Sequence, residues 1–454
     1  MSRDQTHRRM LGRHTIITME DPSLPVVRFV AASAQGALND PDGLSGQSYL
    51  SWELALRGTR EKSRAQFAEQ LEGLGSSLSA SVGDETASIR GLCLRRQLDE
   101  TLDLLREAML EPAYGQDELD DLRGELIDDL GALTDDDASL CAVFWRRALF
   151  EGTLRSRIPG GEIADLDRIE RSHLLSAHTE RMVEGPLIWV FTGAITPEEA
   201  EQKVLERWPV NDHQQPARAE LPIIEPGRRG RIVVVDKPER SQVQLRVGQL
   251  VMSGREEESE AFWLGSMAFG GTFTSPFNRE VRDKRGWSYF ASSEFRRNRR
   301  TASPMILHTA PASEDLLDCL ALELELLGEL ASGSLPVDEI ERAREYMLNR
   351  YPLSIASASD RMVPTLLAEF LGRGPESLEE LPARLEALSA ERIAEIMKER
   401  LSVEDTLIVM VATADRVVPG LKERFGHLPI DVIDYRAGLE REAQPATKEE
   451  AVCD

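Results

Sequence analysis

The order of apolar segments in the first half of this chain occurs again in the second half at a nearly constant offset. Alternating apolar residues begin at Val27 and again at Val243, 216 positions later, although Val30 interrupts the polar side of the first run. Such alternation predicts a half-buried β-strand. Apolar strands that begin at Leu187 and Leu407 are 220 positions apart. The kept order and spacing predict two homologous domains of roughly 200 residues.

Helical patterns lie between the strands of each half. Leu98, Leu102 and Leu105 form one apolar stripe, and Leu316 and Leu320 begin its counterpart. Helices and hairpin-like strand runs are mixed, which is typical of the α+β class. We therefore expect two homologous α/β-sandwich domains, each a mostly antiparallel sheet packed with helices, joined by a linker. The alternative is two unrelated α+β domains whose elements happen to follow a similar order.

Composition places the boundary between the two halves. Residues 214–230 are rich in Pro, Gly and charged residues, which is typical of a linker. We expect an N-terminal domain over residues 1–213 and a C-terminal domain over residues 231–438. Residues 439–454 are expected to form a polar tail.

The charge of the chain limits its partners. Asp and Glu outnumber Lys and Arg by 79 to 54, and the formal net charge is −25. This charge repels phosphates and anionic lipids, so we expect neither nucleic acid nor a membrane as a partner. No apolar run approaches the ~20 residues that cross a bilayer, and no secretory signal is apparent. Cys93, Cys141, Cys319 and Cys453 form no CxxC pair, which predicts reduced thiols and a cytoplasmic protein.

Two blocks of the sequence resemble segments of the pitrilysin/insulinase-type metallopeptidases. Residues 46–59 resemble the segment that carries the inverted zinc motif His-x-x-Glu-His ahead of a Gly-Thr pair. Residues 269–289 resemble a second-domain block in which an Arg precedes a Tyr by seven positions. The resemblance covers nearly the whole chain and is greatest to the short bacterial two-domain branch, which works as dimers of such chains. Mitochondrial processing peptidase has the same organisation.

The zinc motif itself is degenerate in this chain. In an active member of the family, two histidines four positions apart hold zinc and the glutamate between them activates a water. The matching positions here are Tyr49, Trp52 and Glu53, and the family's third ligand falls at Asp128 or Asp129. Oxygen ligands without nitrogen or sulfur are poor for zinc. The resemblance therefore implies a helix kept as structure, with no metal bound by this chain.

The resemblance also implies roles for Arg282 and Tyr289, whose spacing is kept. In the family, the Arg donates to a substrate carbonyl or carboxylate, and the Tyr hydroxyl can stabilise the developing oxyanion. The alternative is a salt-bridged surface arginine and a half-buried strand tyrosine. Gly270 and Gly271 predict a flexible loop near the peptide, or a simple helix-to-loop turn.

Two further features have structural and functional interpretations. Residues 296–300 contain four arginines in an otherwise acidic chain. They predict either a solvated hairpin tip or a contact with an acidic partner or peptide. Cys141, close to Phe144 and Trp145 on an apolar helix, is predicted to lie in the core.

We therefore expect the non-zinc-binding subunit of a heterodimeric zinc metalloendopeptidase, inactive alone. A homologous partner with an intact His-x-x-Glu-His would supply the zinc, and this chain would supply Arg282 and Tyr289. The substrate would be a peptide, either degraded or trimmed of its leader. Two alternatives remain open, a non-enzymatic assembly subunit and a stand-alone peptide-binding protein of the same fold.

Overall fold

The computed structural model describes residues 6–209, 230–254, 257–298 and 301–440, and these residues form two six-stranded sheets. The expected linker, except for its last residue, and most of the expected tail lie outside the described residues. The strands are β1 (Thr6–Leu11), β2 (His14–Glu20), β3 (Val26–Ser33), β4 (Ser77–Val82), β5 (Ala87–Leu94), β6 (Leu187–Gly193), β7 (Arg231–Asp236), β8 (Gln244–Ser253), β9 (Ala291–Phe295), β10 (Ala302–Thr309), β11 (Leu407–Ala412) and β12 (Ile430–Asp434).

Helices follow the strands in both halves. They are α1 (Gln47–Ala55), α2 (Arg64–Gly73), α3 (Leu98–Leu110), α4 (Gln116–Ala132), α5 (Asp137–Leu149), α6 (Ile163–Leu166), α7 (Arg171–His178), α8 (Pro197–Arg207), α9 (Ser259–Ser266), α10 (Pro276–Asn278), α11 (Leu316–Ala331), α12 (Val337–Ser354), α13 (Ala358–Leu371), α14 (Ser377–Ala387), α15 (Ala390–Arg400) and α16 (Ala414–Phe425). Short 3₁₀ turns are Ala37–Asn39, Arg95–Gln97, Leu133–Asp135 and Leu154–Ser156, and π turns are Thr179–Val183, Met267–Gly271 and Arg279–Asp283.

The two sheets have matching strand orders. Sheet 1 runs β1-β2-β6-β3-β5-β4, and sheet 2 runs β12-β7-β11-β8-β10-β9. The two orders agree from the second strand onward and differ at one edge, where β1 is antiparallel to β2 but β12 is parallel to β7. Apart from that edge, only the β2–β6 and β7–β11 pairs are parallel among the described strands. The predicted fold class, two homologous α+β domains with mostly antiparallel sheets, is confirmed.

One face of each sheet is covered by helices of its own half. In sheet 1, Val27, Phe29 and Ala31 are fully buried, as the alternation predicted, and they share a core with Trp52 of α1 and Leu102 of α3. The corresponding core of sheet 2 contains residues of α9, α11 and α16. The described cysteines, Cys93, Cys141 and Cys319, are buried free thiols, and Cys453 lies outside the described residues.

The opposite face of each sheet is covered by a helix from the other half. Helix α5, from the first half, packs on sheet 2, and helix α13, from the second half, packs on sheet 1. The residues of α5 in this contact are Leu140, Cys141, Phe144, Trp145 and Leu149. Those of α13 are Ala358, Met362, Leu366 and Phe370. Because α5 and α13 begin 221 positions apart, they are equivalent in the repeat, so the two halves exchange helices reciprocally.

The exchange explains the irregularity at Val30. This residue is 1% exposed because it faces α13 together with Ile17, Met19 and Val190. A strand buried on both faces reads as a continuous apolar run rather than an alternating one. Within the described residues, every helix is too short or too polar to span a bilayer.

The helix exchange predicts that a cavity on α13 destabilises the first half of the chain. Leu366 is 9% exposed and packs on sheet 1, whereas its neighbour Leu367 is 42% exposed. We expect Leu366→Ala to lower the free energy of unfolding in urea by about 2–4 kcal/mol, and Leu367→Ala to lower it by less than about 1 kcal/mol. Amide exchange of β3 and β6 should accelerate in Leu366→Ala only. Unchanged protection of these strands would contradict the role given to α13.

A buried carboxyl group lies in the core of the second half. Glu323 of α11 is fully buried, and Thr309 donates a hydrogen bond of 2.5 Å to its Oε1. Within the described part of the chain, Oε2 has no hydrogen-bond partner. Burial raises the pKa of Glu323 to about 7, because the charged form loses its hydration.

The raised pKa of Glu323 predicts a specific dependence of stability on pH. A carboxyl whose folded-state pKa exceeds its unfolded value favours the fold at low pH and loses that contribution as pH rises through the folded-state value. Between about pH 5 and pH 8, the wild type should lose on the order of 3 kcal/mol of unfolding free energy relative to Glu323→Gln. Glu325→Gln, on the exposed side of α11, should follow the wild type. Parallel pH curves for wild type and Glu323→Gln would contradict this interpretation.

Candidate functional site

A buried ion pair fixes the start of α1, the helix that carries the degenerate zinc motif. Arg181 contacts Asp40 at 3.0 Å, and both side chains are almost fully buried. Asp40 also accepts hydrogen bonds from the backbone N–H groups of Gly46 at 3.0 Å and Ser48 at 2.9 Å. Gly46 has a left-handed φ of 99°, which a side chain would disfavour. The carboxylate of Asp40 thus caps the first turn of α1.

Trp52 occupies the position of the family's general base, and it is part of the core. Its side chain is 0% exposed and packs with the apolar face of sheet 1. Its indole Nε1 has no hydrogen-bond partner among the described residues. An indole has no proton to exchange near neutral pH, and here it is shielded from solvent. Trp52 therefore supports the packing of α1 and cannot activate a water.

The other degenerate positions lie together between α1 and α4. Burial raises the pKa of Tyr49, and the charges of Glu53 and Asp129 raise it further. Burial also raises the pKa of Glu53, which Arg57 partly offsets. Arg57 in turn donates to Glu125 of α4 at 3.0 Å. The structure therefore places Tyr49, Glu53 and Asp129 near one another, with the guanidinium of Arg57 beside them.

This set of side chains does not fit a zinc ion. Within residues 6–209, 230–254, 257–298 and 301–440, no three His, Cys, Asp or Glu side chains are grouped so that they could hold a metal. The histidines that follow in the same half have structural bonds instead. His178 is buried against the carbonyl of Met109 at 2.8 Å, and His173 accepts the N–H of Glu170 at 3.1 Å. The residues at the motif thus offer oxygen atoms and an indole, which are poor for zinc.

Arg282 lies between two exposed aromatic rings. It is on the π turn Arg279–Asp283, and its guanidinium carbon is 3.7 Å from the ring centroid of Phe273 and 5.6 Å from that of Tyr289. Its Nη1 has no hydrogen-bond partner among the described residues, and the Asp283 carboxylate is 3.9 Å away. Cation–π contacts of this kind orient a guanidinium without using its N–H donors. Arg282 can therefore donate to a further carbonyl or carboxylate.

Tyr289 is the most exposed of the described large hydrophobic or aromatic side chains, at 83%. The alternative of a half-buried strand tyrosine does not match this exposure, whereas the long ion pair between Arg282 and Asp283, at 3.9 Å, agrees with the alternative of a salt-bridged arginine. Contact of either residue with a substrate stays a prediction. Phe273, at 63% exposure, was not identified from the sequence. Its position directly after the Gly-Gly-Thr segment was the available signal.

Gly270 and Gly271 end the π turn Met267–Gly271, which matches the alternative of a helix-to-loop turn. Gly270 is buried, and a Cβ there would lie 2.6 Å from the Cβ of Ser293 on β9. A Cβ on Gly271 would lie 2.3 Å from the sulfur of Met267. Gly270 therefore allows close packing of this turn against β9, and Gly271 leaves room for the side chain of Met267. They position the segment that carries Phe273.

The burial of Trp52 predicts that the general base cannot be restored by one substitution. Trp52→Glu would place a carboxyl in an apolar core and remove the largest fully buried side chain, so we expect it to cost about 3–5 kcal/mol of unfolding free energy. Tyr49→His and Glu53→His are at partly exposed positions and should each cost less than about 1 kcal/mol. Urea unfolding at neutral pH measures all three. A Trp52→Glu variant as stable as the wild type would show that α1 does not need the indole.

Comparison with known proteins agrees with the fold. The model for the insulinase family, peptidase family M16, matches residues 16–157, and the model for the peptidase M16 inactive domain matches residues 168–347. An uncharacterized zinc protease of Streptomyces coelicolor is 18% identical over 411 residues, 89% of each chain. A non-peptidase homolog of Helicobacter pylori is 20% identical over 412 residues, 90% of this chain and 94% of that one.

Solved structures show the same fold. The peptidase M16 inactive domain from Pseudomonas fluorescens superimposes with a TM-score of 0.83 at 19% identity, covering 90% of this chain and 97% of that one. A protease from Helicobacter pylori superimposes with a TM-score of 0.78 at 16% identity, covering 90% of this chain and all of that one. With two models of one family matched in succession along most of its length, the chain belongs to the insulinase family of peptidases, family M16.

Proposed function

We propose that this chain is the non-catalytic subunit of a two-chain zinc peptidase. The observation that carries the proposal is a contrast between the two halves. In the first half, helix α1 carries the buried Trp52 at the position of the family's general base. In the second half, Arg282 and Tyr289 keep the family spacing. Among the described residues, Nη1 of Arg282 has no hydrogen-bond partner, and Tyr289 is 83% exposed. A homologous partner with an intact His-x-x-Glu-His would then supply the zinc and the activated water.

In this proposal, Arg282 and Tyr289 bind and orient the peptide. Arg282 would donate to a carbonyl or carboxylate of the substrate, held in place by the rings of Phe273 and Tyr289. The Tyr289 hydroxyl would donate to the oxygen on which negative charge develops. Neither residue can break a peptide bond without a nucleophile, so the chain alone would be inactive.

An extended peptide is the substrate that this architecture favours. Strand β4 is at the edge of sheet 1 and β9 is at the edge of sheet 2, so each has one side without a neighbouring strand of its sheet. Edge strands bind extended peptide backbone with few demands on its sequence. Strand β9 also begins at Ala291, two residues after Tyr289. Both general peptide hydrolysis and trimming of a leader peptide are consistent with such binding.

Two other observations bear on the cell compartment and on the alternative function. The buried free thiols fit a reducing compartment, and we propose the cytoplasm.

The second candidate function is an assembly subunit without a role in cleavage. Its support is the relative that is named a non-peptidase homolog. The Nη1 of Arg282, which has no hydrogen-bond partner among the described residues, favours the first candidate, because a purely structural subunit gains nothing from an unsatisfied donor.

The proposal predicts activity only in a mixture. Purified chain should form a stable pair with a family M16 subunit that carries an intact His-x-x-Glu-His, as seen by size-exclusion chromatography. The pair should cleave a fluorogenic peptide, and neither chain should do so alone. We expect Arg282→Ala to reduce kcat/KM by about 10²-fold or more and Tyr289→Phe by about 10-fold or more, since each removes a donor to the substrate or oxyanion.

Matched controls separate catalysis from assembly. Lys284, directly after the π turn that carries Arg282, is 63% exposed, and Tyr346 is 42% exposed on α12. Lys284→Ala and Tyr346→Phe should leave both pairing and kcat/KM unchanged. Pairing without peptidase activity would favour the assembly subunit. Pairing with full activity in Arg282→Ala would refute the roles given to this residue.

A further inference from the structure

A cavity of about 260 Å³ lies in the second half of the chain, between α9, α12, α13 and α14. Its apolar wall is formed by Trp263, Val363, Leu367, Leu371, Leu378 and Leu381. Its charged lining consists of three arginines, Arg297, Arg373 and Arg384, and one carboxylate, Glu260. Ligand sites commonly combine an apolar wall with a few placed polar groups. An excess of positive charge is notable here because the whole chain carries −25.

The single carboxylate of the cavity is already engaged by two of the arginines. Arg373 donates to Oε1 of Glu260 at 2.6 Å, and Arg384 donates to Oε2 at 2.9 Å. Arg384 also donates to the exposed Glu380 at 3.0 Å. Glu260 is 6% exposed, so this cluster is a built part of the fold. It leaves the third arginine without a carboxylate partner in the cavity.

Arg297 is this third arginine, and it faces the cavity beside an aromatic ring. Its guanidinium carbon is 4.7 Å from the ring centroid of Trp263, and no hydrogen bond from its side chain is present among the described residues. Burial and the charge of Arg373 lower the pKa of Arg297, while Glu260 raises it. A cation in such surroundings gains from an anion that enters the cavity.

The preceding arginine, Arg296, does not line the cavity. Arg296 is exposed and donates to Glu294 at 2.7 Å, as expected for a solvated hairpin. The last two arginines of the run lie outside the described residues. Of the described part, only Arg297 lines this cavity.

We propose that this cavity binds a carboxylate that carries an apolar chain, with the carboxylate on Arg297 and the chain against Leu367, Leu371 and Leu378. The planar guanidinium matches a carboxylate with two parallel hydrogen bonds. A second cavity of about 340 Å³ shares Arg297, Val363 and Leu367 with the first, but its lining includes the carboxylates Asp84 and Glu85, so the proposed site is the first cavity. This site is separate from the Arg282 cluster, which consists of Arg282, Phe273 and Tyr289, and the inference does not depend on the proposed peptidase partner.

Two sources offer this chemistry, a fatty acid and the C-terminal residue of a peptide. Isothermal titration of the full chain should use octanoate, an N-acetylated tripeptide ending in Leu with a free carboxylate, and the same tripeptide as its C-terminal amide. We expect at least one of the two carboxylates to bind and the amide to bind at least about 10-fold more weakly, because charge-assisted hydrogen bonds are lost. Binding of octanoate alone supports a lipid source, and binding of the tripeptide acid alone supports a peptide source.

Three variants test where the carboxylate binds. Arg297→Gln should weaken binding at least about 10-fold, and Arg296→Gln, which removes the same charge one residue away, should not. Leu367→Trp should also weaken binding by filling the cavity while leaving its charges in place. Thermal unfolding of each variant shows whether it is folded. Failure of both carboxylates to bind, or equal affinity in wild type and folded Arg297→Gln or Leu367→Trp, would overturn the proposal.

Discussion

The reciprocal exchange of α5 and α13 is the contact on which the rest of the structure depends. Each sheet has two apolar faces, and each half supplies helices for only one of them. The second face of sheet 1 is covered by Met362, Leu366 and Phe370 of α13. The second face of sheet 2 is covered by residues of α5. Neither half could keep both faces of its sheet out of water alone, so the two must fold together.

The same arrangement explains how a degenerate peptidase domain can be retained. Helix α1 lies on the face of sheet 1 away from α13, where Trp52 fills the core and Asp40 with Arg181 caps the first turn. Replacing the family's glutamate by an indole removes the water-activating carboxylate but adds buried apolar area. An indole at this position is therefore compatible with the fold. In the second half, the Arg282 cluster is exposed and contributes little to the core, so its retention is easier to explain by binding than by stability.

The sequence predicts the repeat, the fold class and the position of the degenerate motif well, because each depends on residues close together in the chain. The fully buried Val27, Phe29 and Ala31 are an example. The alternating pattern did not account for the apolar Val30, because this residue packs against α13, a helix more than 300 positions away in the chain. The choice between a loop and a helix-to-loop turn at Gly270 was left open for the same reason, because its packing partner is Ser293 on a strand.

Side chains that act in groups were the hardest to predict. Phe273 contacts Arg282 because the chain turns back between them, and the sequence alone did not show this contact. Arg297 could not be separated from its neighbours in the basic run until Trp263 and Glu260 were placed near it. Such groupings depend on contacts between distant segments, which a single sequence does not reveal.

The central claim is that this chain cannot hold the metal that its family uses. Metal analysis of the purified chain, dialysed against buffer with trace zinc and assayed alone on a fluorogenic peptide, tests it most directly. The structure predicts far less than one zinc per chain and no cleavage. One tightly held zinc per chain together with unaided cleavage would contradict it.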